Sequence, residues 1–149
     1  MREAELKHCR LAMLAVIGWP LAELLDKPIA DTVGLPTALT KTGASPSVLN
    51  GGLDKIEPLY WFAVALLAGF VELGNATMRE EKKQKYILGD CGLADQFLPT
   101  DKAQANDLMT KEIKNGRLAM MALLGFVAQE ALWRTPVVEQ TPFFFHPAF

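Results

Sequence analysis

The chain has 149 residues, half of them hydrophobic, and a formal net charge of only -2. Such a length sets one domain, residues 1–149, as the expectation, and the balance of charge and apolar residues excludes a disordered chain and gives no basis for nucleic acid as a partner. Cys9 and Cys91 are too few for a disulfide scaffold, no Cys/His spacing suits a structural metal, and both read as small thiols of a reducing compartment.

The first helix is expected at about 3–25, polar from Arg2 to Arg10 and uncharged from Leu11 to Ala22, with Trp19 and Pro20 near its far end, where a proline can kink it. No signal or transit peptide precedes it, so a processed or incompletely represented N-terminus is expected. From Asp26 to Glu57 the composition turns to Pro, Gly, Ser, Thr and Asn, a long connection with little regular structure. Glu57-Pro58 opens a second helix at about 57–77, with proline where the first turn needs no amide donor. It is uncharged from Leu59 to Val71 and is followed by the charge run Arg79 to Lys85, which reads as a solvated helix end. Gly89-Asp90-Cys91-Gly92 marks a turn, and Asp101 to Met109 reads as surface helix or loop. The third helix is expected at about 108–132, and the tail holds Phe143-Phe144-Phe145 and His146, read as an apolar anchor with a hydrogen-bonded histidine.

The first and third helices carry one pattern twice. Glu5, Lys7, Arg10, Leu11, Ala12, Met13, Ala15, Gly18 and Glu23 recur as Glu112, Lys114, Arg117, Leu118, Ala119, Met120, Ala122, Gly125 and Glu130, all at an offset of 107. A shared offset over so long a stretch predicts two equivalent helices related by a pseudo-twofold axis. Glu5 and Arg10 are five residues apart and point about 140° away from each other on one helix, so they pair poorly there. If the helices cross, Glu5 meets Arg117 and Glu112 meets Arg10, which is how charge becomes tolerable within a membrane. Alanines and glycines at every third position, Ala12, Ala15 and Gly18 with Ala119, Ala122 and Gly125, are expected to let the backbones approach closely.

The uncharged runs alone are short for a bilayer span, but including the paired charges extends the first and third helices to roughly 20–25 residues. Threaded up, down and up, the helices bring Trp19, Trp61 and Trp133 to one side and Arg2, Lys7, Lys82, Lys83, Lys85, Lys111 and Lys114 to the other. This is the sorting of an aromatic belt and a positive side. The expected fold is therefore all-α and integral to a membrane, with three transmembrane helices.

Glu5 and His8 lie three residues apart on one helix face, and Glu112 and Asn115 repeat the spacing. Carboxylate, imidazole and amide oxygen are each Lewis bases, yet each is alone on its patch, so a zinc or di-iron cage is poorly served. The pattern suits a cofactor that already holds four equatorial ligands and needs one more, such as a tetrapyrrole, and magnesium prefers these hard donors.

Glu5-x-x-His8-x-Arg10-x-Ala12-Met13 and Glu112-x-x-Asn115-Gly116-Arg117-x-Ala119-Met120 resemble the first and third helices of the light-harvesting chlorophyll-binding protein family. Lysine before His8 is most similar to the red-lineage branch, with its fucoxanthin chlorophyll a/c proteins and photosystem I antennae. The resemblance implies that Glu5, His8, Glu72, Glu112, Asn115 and Gln129 are axial ligands to chlorophyll magnesium, with Arg10 and Arg117 in structural ion pairs. It implies chlorophyll a, chlorophyll c, and two carotenoids, fucoxanthin-like or another xanthophyll, in the helix grooves against Met13 and Met120. It further implies a chloroplast thylakoid location, with a photosystem core (photosystem I favoured), other antenna subunits and thylakoid lipids as partners. On the residues alone Gln129 reads equally as a capping residue and Glu72 as an interfacial one.

Four departures from the family pattern stand out. Val64 occupies a glutamine position. Asn75 replaces an arginine three residues after Glu72, which leaves the charge on Glu72 to be balanced by magnesium alone. Leu93 replaces a loop aromatic, and Cys9 replaces the common glycine. The expected function is a non-enzymatic antenna that transfers excitation to a photosystem. The alternatives are a photoprotective relative that dissipates energy, or a soluble helical binding protein or carboxylate-metal enzyme, which leaves the repeat unexplained.

Overall fold

A computed structural model describes residues 1–34, 36–48, 51–82, 87, 89–90 and 97–141. Expectations on Lys83, Lys85, Cys91, Leu93, the Phe143–Phe145 run and His146 lie outside the described residues. Four α-helices form among them: α1 (Arg2–Val33), α2 (Pro58–Lys82), α3 (Lys102–Trp133) and the short α4 (Val137–Gln140), with a 3-10 turn at Leu53–Lys55.

The helices run further than their apolar cores. α1 continues through Pro20 and Pro28 to Val33, so the connection expected from Asp26 is helical for its first eight residues. A proline removes one backbone donor without forbidding the next turn, and here Ala30 is buried while Thr32 Oγ1 donates to the carbonyls of Pro28 and Ile29. The helix stops at Gly34, whose φ of 73° suits a residue without a Cβ and whose N–H donates to Ala30 O at 2.8 Å. α3 starts at Lys102 rather than 108 because Asp101 Oδ1 accepts the N–H of Ala103 at 3.2 Å, an N-cap that satisfies one orphan donor.

α1 and α2 are long and apolar enough to cross a membrane. On α2 the residues Leu59, Phe62, Leu66, Leu67, Phe70 and Leu73 are all exposed, a continuous apolar surface that a water-soluble chain rarely carries. α3 matches α1 in length at 32 residues, but Arg117 and Glu130 interrupt its apolar run.

Contacts group the chain into two compact units. One comprises Met1–Leu11 with Glu57–Leu118. Its closest packing joins α1 to α3, where the fully buried Cys9 faces Gly116. A Cβ at position 116 would collide with Cys9 Cβ and stand 3.0 Å from its Cα.

The other unit comprises Ala12–Ile56 with Ala119–Phe149. Two buried carboxylates hold it. Glu23 accepts from the N–H of Ser45 (3.2 Å) and of Val138 (3.1 Å), tying α1 to the following loop and to α4. Glu130 accepts from Trp19 Nε1 at 2.8 Å, and Ser45 Oγ donates to Trp19 O at 3.3 Å. Asp26 Oδ2 accepts from Ala38 N at 3.1 Å, and the loop turns at Gly52 (φ 83°), where a Cβ would press on Thr40 and Pro46. Ala12 and Ala119 are buried here, whereas a Cβ added at Gly18 or Gly125 would meet nothing within 4 Å. Close approach therefore falls on Cys9 with Gly116 and not on Gly18 and Gly125.

Two outcomes follow from these contacts. Gly116→Ala lowers stability by about 1–3 kcal/mol through overpacking, and adding Cys9→Gly restores it, as read by thermal unfolding followed by circular dichroism. Glu23→Ala leaves two buried N–H groups without an acceptor, at about 1–3 kcal/mol each. A melting curve identical to that of the parent chain would remove Glu23 as the tie between α1 and α4.

Candidate functional site

The polar half of the repeat meets in the first unit. Five residues separate Glu5 from Arg10 on α1 and Glu112 from Arg117 on α3, so each acid reaches a base on the other helix. Arg10 Nε donates to Glu112 Oε1 and Arg117 Nε donates to Glu5 Oε1, both at 2.7 Å. The pairs are exchanged by the 107-residue offset. In each, the guanidinium takes one carboxylate oxygen, and among the described residues the other has no partner. A neutral unit with a spare oxygen can ligate a hard metal ion without burying net charge.

Arg10 is held a second time, donating from Nη1 to Gly89 O at 2.6 Å. Gly89 (φ 82°) lies so close to Leu6 that a Cβ there would collide with it. Glu112 also lines a cleft of about 160 Å³ of mixed character, with Arg2, Leu6, Asn106, Met109 and Ile113.

His8 is exposed on α1, and its Nδ1 lies 2.7 Å from Ala4 O. A carbonyl only accepts, so Nδ1 carries a proton, and in the neutral ring Nε2 has the lone pair. A backbone acceptor that fixes tautomer and ring orientation is the usual support of a metal-ligating histidine. Asn115, the offset partner of His8, is likewise exposed. Gln129 lies in the second unit, half-buried beside the buried Glu130. Among the described residues no group of three or more His, Cys, Asp or Glu could hold a metal ion.

Glu72 differs from expectation. Lys7 Nζ donates to Glu72 Oε2 at 2.6 Å, so a cation on α1 balances its charge. Arg79 Nη1 donates to Glu3 Oε2 at 3.1 Å, a second tie between α2 and α1. Glu3 and Lys7 lie four residues apart on one face of α1, and Glu72 and Arg79 two turns apart on α2, spacings that mark shared faces but no cross-helix pairing. Only the neighbouring helix shows which base each acid takes.

A sequence model described as Chlorophyll A-B binding protein matches residues 1–131. Among similar proteins, light-harvesting complex stress-related protein 1 of Chlamydomonas reinhardtii is 34% identical over 97% of this chain and 56% of its own length. Chlorophyll a-b binding protein 6A of Solanum lycopersicum is 33% identical over 89% of this chain and 52% of its own. The fucoxanthin-chlorophyll a-c binding protein of Isochrysis galbana is 30% identical over 89% of this chain and 64% of its own. The chain spans little more than half the length of these relatives. With the motif-bearing helices inside the matched region, the chain belongs to the chlorophyll a/b-binding protein family.

Proposed function

We propose that this protein is an antenna of the chloroplast thylakoid membrane, holding chlorophylls and carotenoids at fixed spacing and passing excitation to a photosystem, photosystem I in preference. The observation that carries this reading is the reciprocal pair of carboxylate–guanidinium units, each with one carboxylate oxygen to spare. Bound chlorophyll supplies light absorption and a magnesium that takes one further donor. The chain's part is to offer that donor in a fixed orientation: Glu5, Glu112 and Glu72 through a carboxylate oxygen, His8 through Nε2, Asn115 and Gln129 through amide oxygens. No side chain makes or breaks a bond in this scheme.

Three spans, the first and third related by a pseudo-twofold axis, complete the proposal. They are supported by the repeat, by the equal length of α1 and α3, and by the apolar surface of α2. The open space at Gly18 and Gly125 supports grooves that accept the rigid polyene of a carotenoid, with the half-buried Met13 and Met120 as adaptable walls. Lys7 before His8 supports the red-lineage branch and with it chlorophyll c and a fucoxanthin-like or other xanthophyll. The stress-related relatives favour a second reading, a photoprotective protein that dissipates excitation. Refolding the chain in detergent with a thylakoid pigment extract tests both. An antenna shows carotenoid bands in the excitation spectrum of chlorophyll a emission and a long fluorescence lifetime. A shortened lifetime at the same pigment count selects dissipation, and failure to bind pigment rejects both.

Two substitutions probe the ligand set. His8→Ala leaves the ion pairs intact and lowers the count by about one chlorophyll, at one axial ligand per site. An unchanged count removes His8 from the ligands. Arg117→Leu does more damage, because Glu5 is then an unbalanced carboxylate in an apolar setting. The yield of pigmented protein falls several-fold below that of His8→Ala, and yield equal to the parent chain refutes the clamp.

A further inference from the structure

We infer that Lys7 makes Glu72 a charge-neutral ligand, supplying from α1 the counter-charge that α2 does not place beside Glu72. This deepens the reading of Glu72 as a chlorophyll ligand and rests on it. Within one turn of Glu72 on α2 the same-face positions are Ala68, Gly69, Asn75 and Ala76, none of them cationic. The next cation along the helix, Arg79, bonds Glu3 instead. Lys7 Nζ lies 2.6 Å from Glu72 Oε2, and only 3.9 Å from Glu3 Oε1 within its own helix, so its closer partner is the one across the cleft. Lys7, Glu72, Asn75, Glu3 and Arg79 together line an open cleft of about 440 Å³.

The geometry repeats that of the other two acids. Each of Glu5, Glu112 and Glu72 gives one oxygen to a cation on another helix, at 2.7, 2.7 and 2.6 Å, and keeps the second. The Lys7 and Glu72 side chains are 43% and 57% exposed, and an ion pair so open to solvent contributes little to folding. Its consequence lies at the ligand instead: the ammonium occupies one oxygen, cancels the charge and directs the free oxygen. Lys7 is thus a positioning residue, and its removal affects one pigment while leaving the helices intact.

The test refolds the full chain in detergent with chlorophyll a and a carotenoid, reading chlorophyll per protein, the absorption difference spectrum and far-ultraviolet circular dichroism. Glu72→Ala is the control and loses about one chlorophyll. If it keeps the parent count, the reading of Glu72 as a ligand fails, and the role of Lys7 with it. Lys7→Gln is expected to lose the same chlorophyll, with the same difference spectrum and unchanged helicity. If Glu72→Ala loses a chlorophyll and Lys7→Gln does not, Lys7 alone is refuted. Two double variants restore the count if charge balance is the cause. Lys7→Gln with Glu72→Gln presents a neutral amide oxygen that needs no counter-charge. Lys7→Gln with Asn75→Arg places a cation three residues from Glu72 on the same face. Should Lys7→Gln fail to assemble, these two decide: recovery of pigmented protein in both supports the proposal, and failure of both overturns it.

Discussion

The acids Glu5, Glu112 and Glu72 of the first unit share one constraint, that the charge of each is cancelled through a single carboxylate oxygen. A guanidinium or ammonium reaching across from another helix meets it. A partner on the same helix at a five-residue spacing cannot, because the two side chains diverge. These cross-helix pairs link α1 to α3, which pack closely beside them. Fully buried Cys9 against Gly116 sets the approach, and Arg10 is steadied by the carbonyl of Gly89 as well as by Glu112.

The second unit solves a different problem with the same residue type. Glu23 and Glu130 are offset partners like Glu5 and Glu112, and here Glu23 accepts from two backbone N–H groups and Glu130 from an indole N–H. Each buried carboxylate thereby satisfies donors that the loop, α4 and Trp19 would otherwise leave without partners. Repetition in the sequence fixes where acids recur. The neighbours then decide whether an acid becomes an ion pair or an anchor for loops.

Much of the site was legible because it rests on local rules. The offset of 107 and the angular divergence of Glu5 from Arg10 together imply which acid faces which base. The three long helices were legible in their apolar runs. Their ends were not, since the apolar run stops before the helix does: capping by Asp101, burial of Ala30 and the Thr32 hydroxyl extend α3 and α1 beyond it. Glu72 was misread because its counter-charge was sought on its own helix, and a lysine 65 residues away gives no spacing to read. The small-residue stripe was read too broadly for a similar reason. Periodicity marks which face a glycine occupies but not how far along the helix the neighbour stays close, so Gly18 and Gly125 stand in open space.

The facing of Cys9 with Gly116 has an evolutionary consequence. The two positions are related by the repeat offset and also touch, so each half of the duplication is the other's environment. At the ion-pairing positions 5/112 and 10/117 the two halves are identical, and a change in one copy would strand a charge in the other. At positions 8 and 115, both exposed, the two halves differ, with histidine in one and asparagine in the other. At 9 and 116 what must be preserved is a combined volume, and a thiol on one side is accommodated by the absence of a side chain on the other. A duplicated helix of this kind drifts only along directions its twin permits.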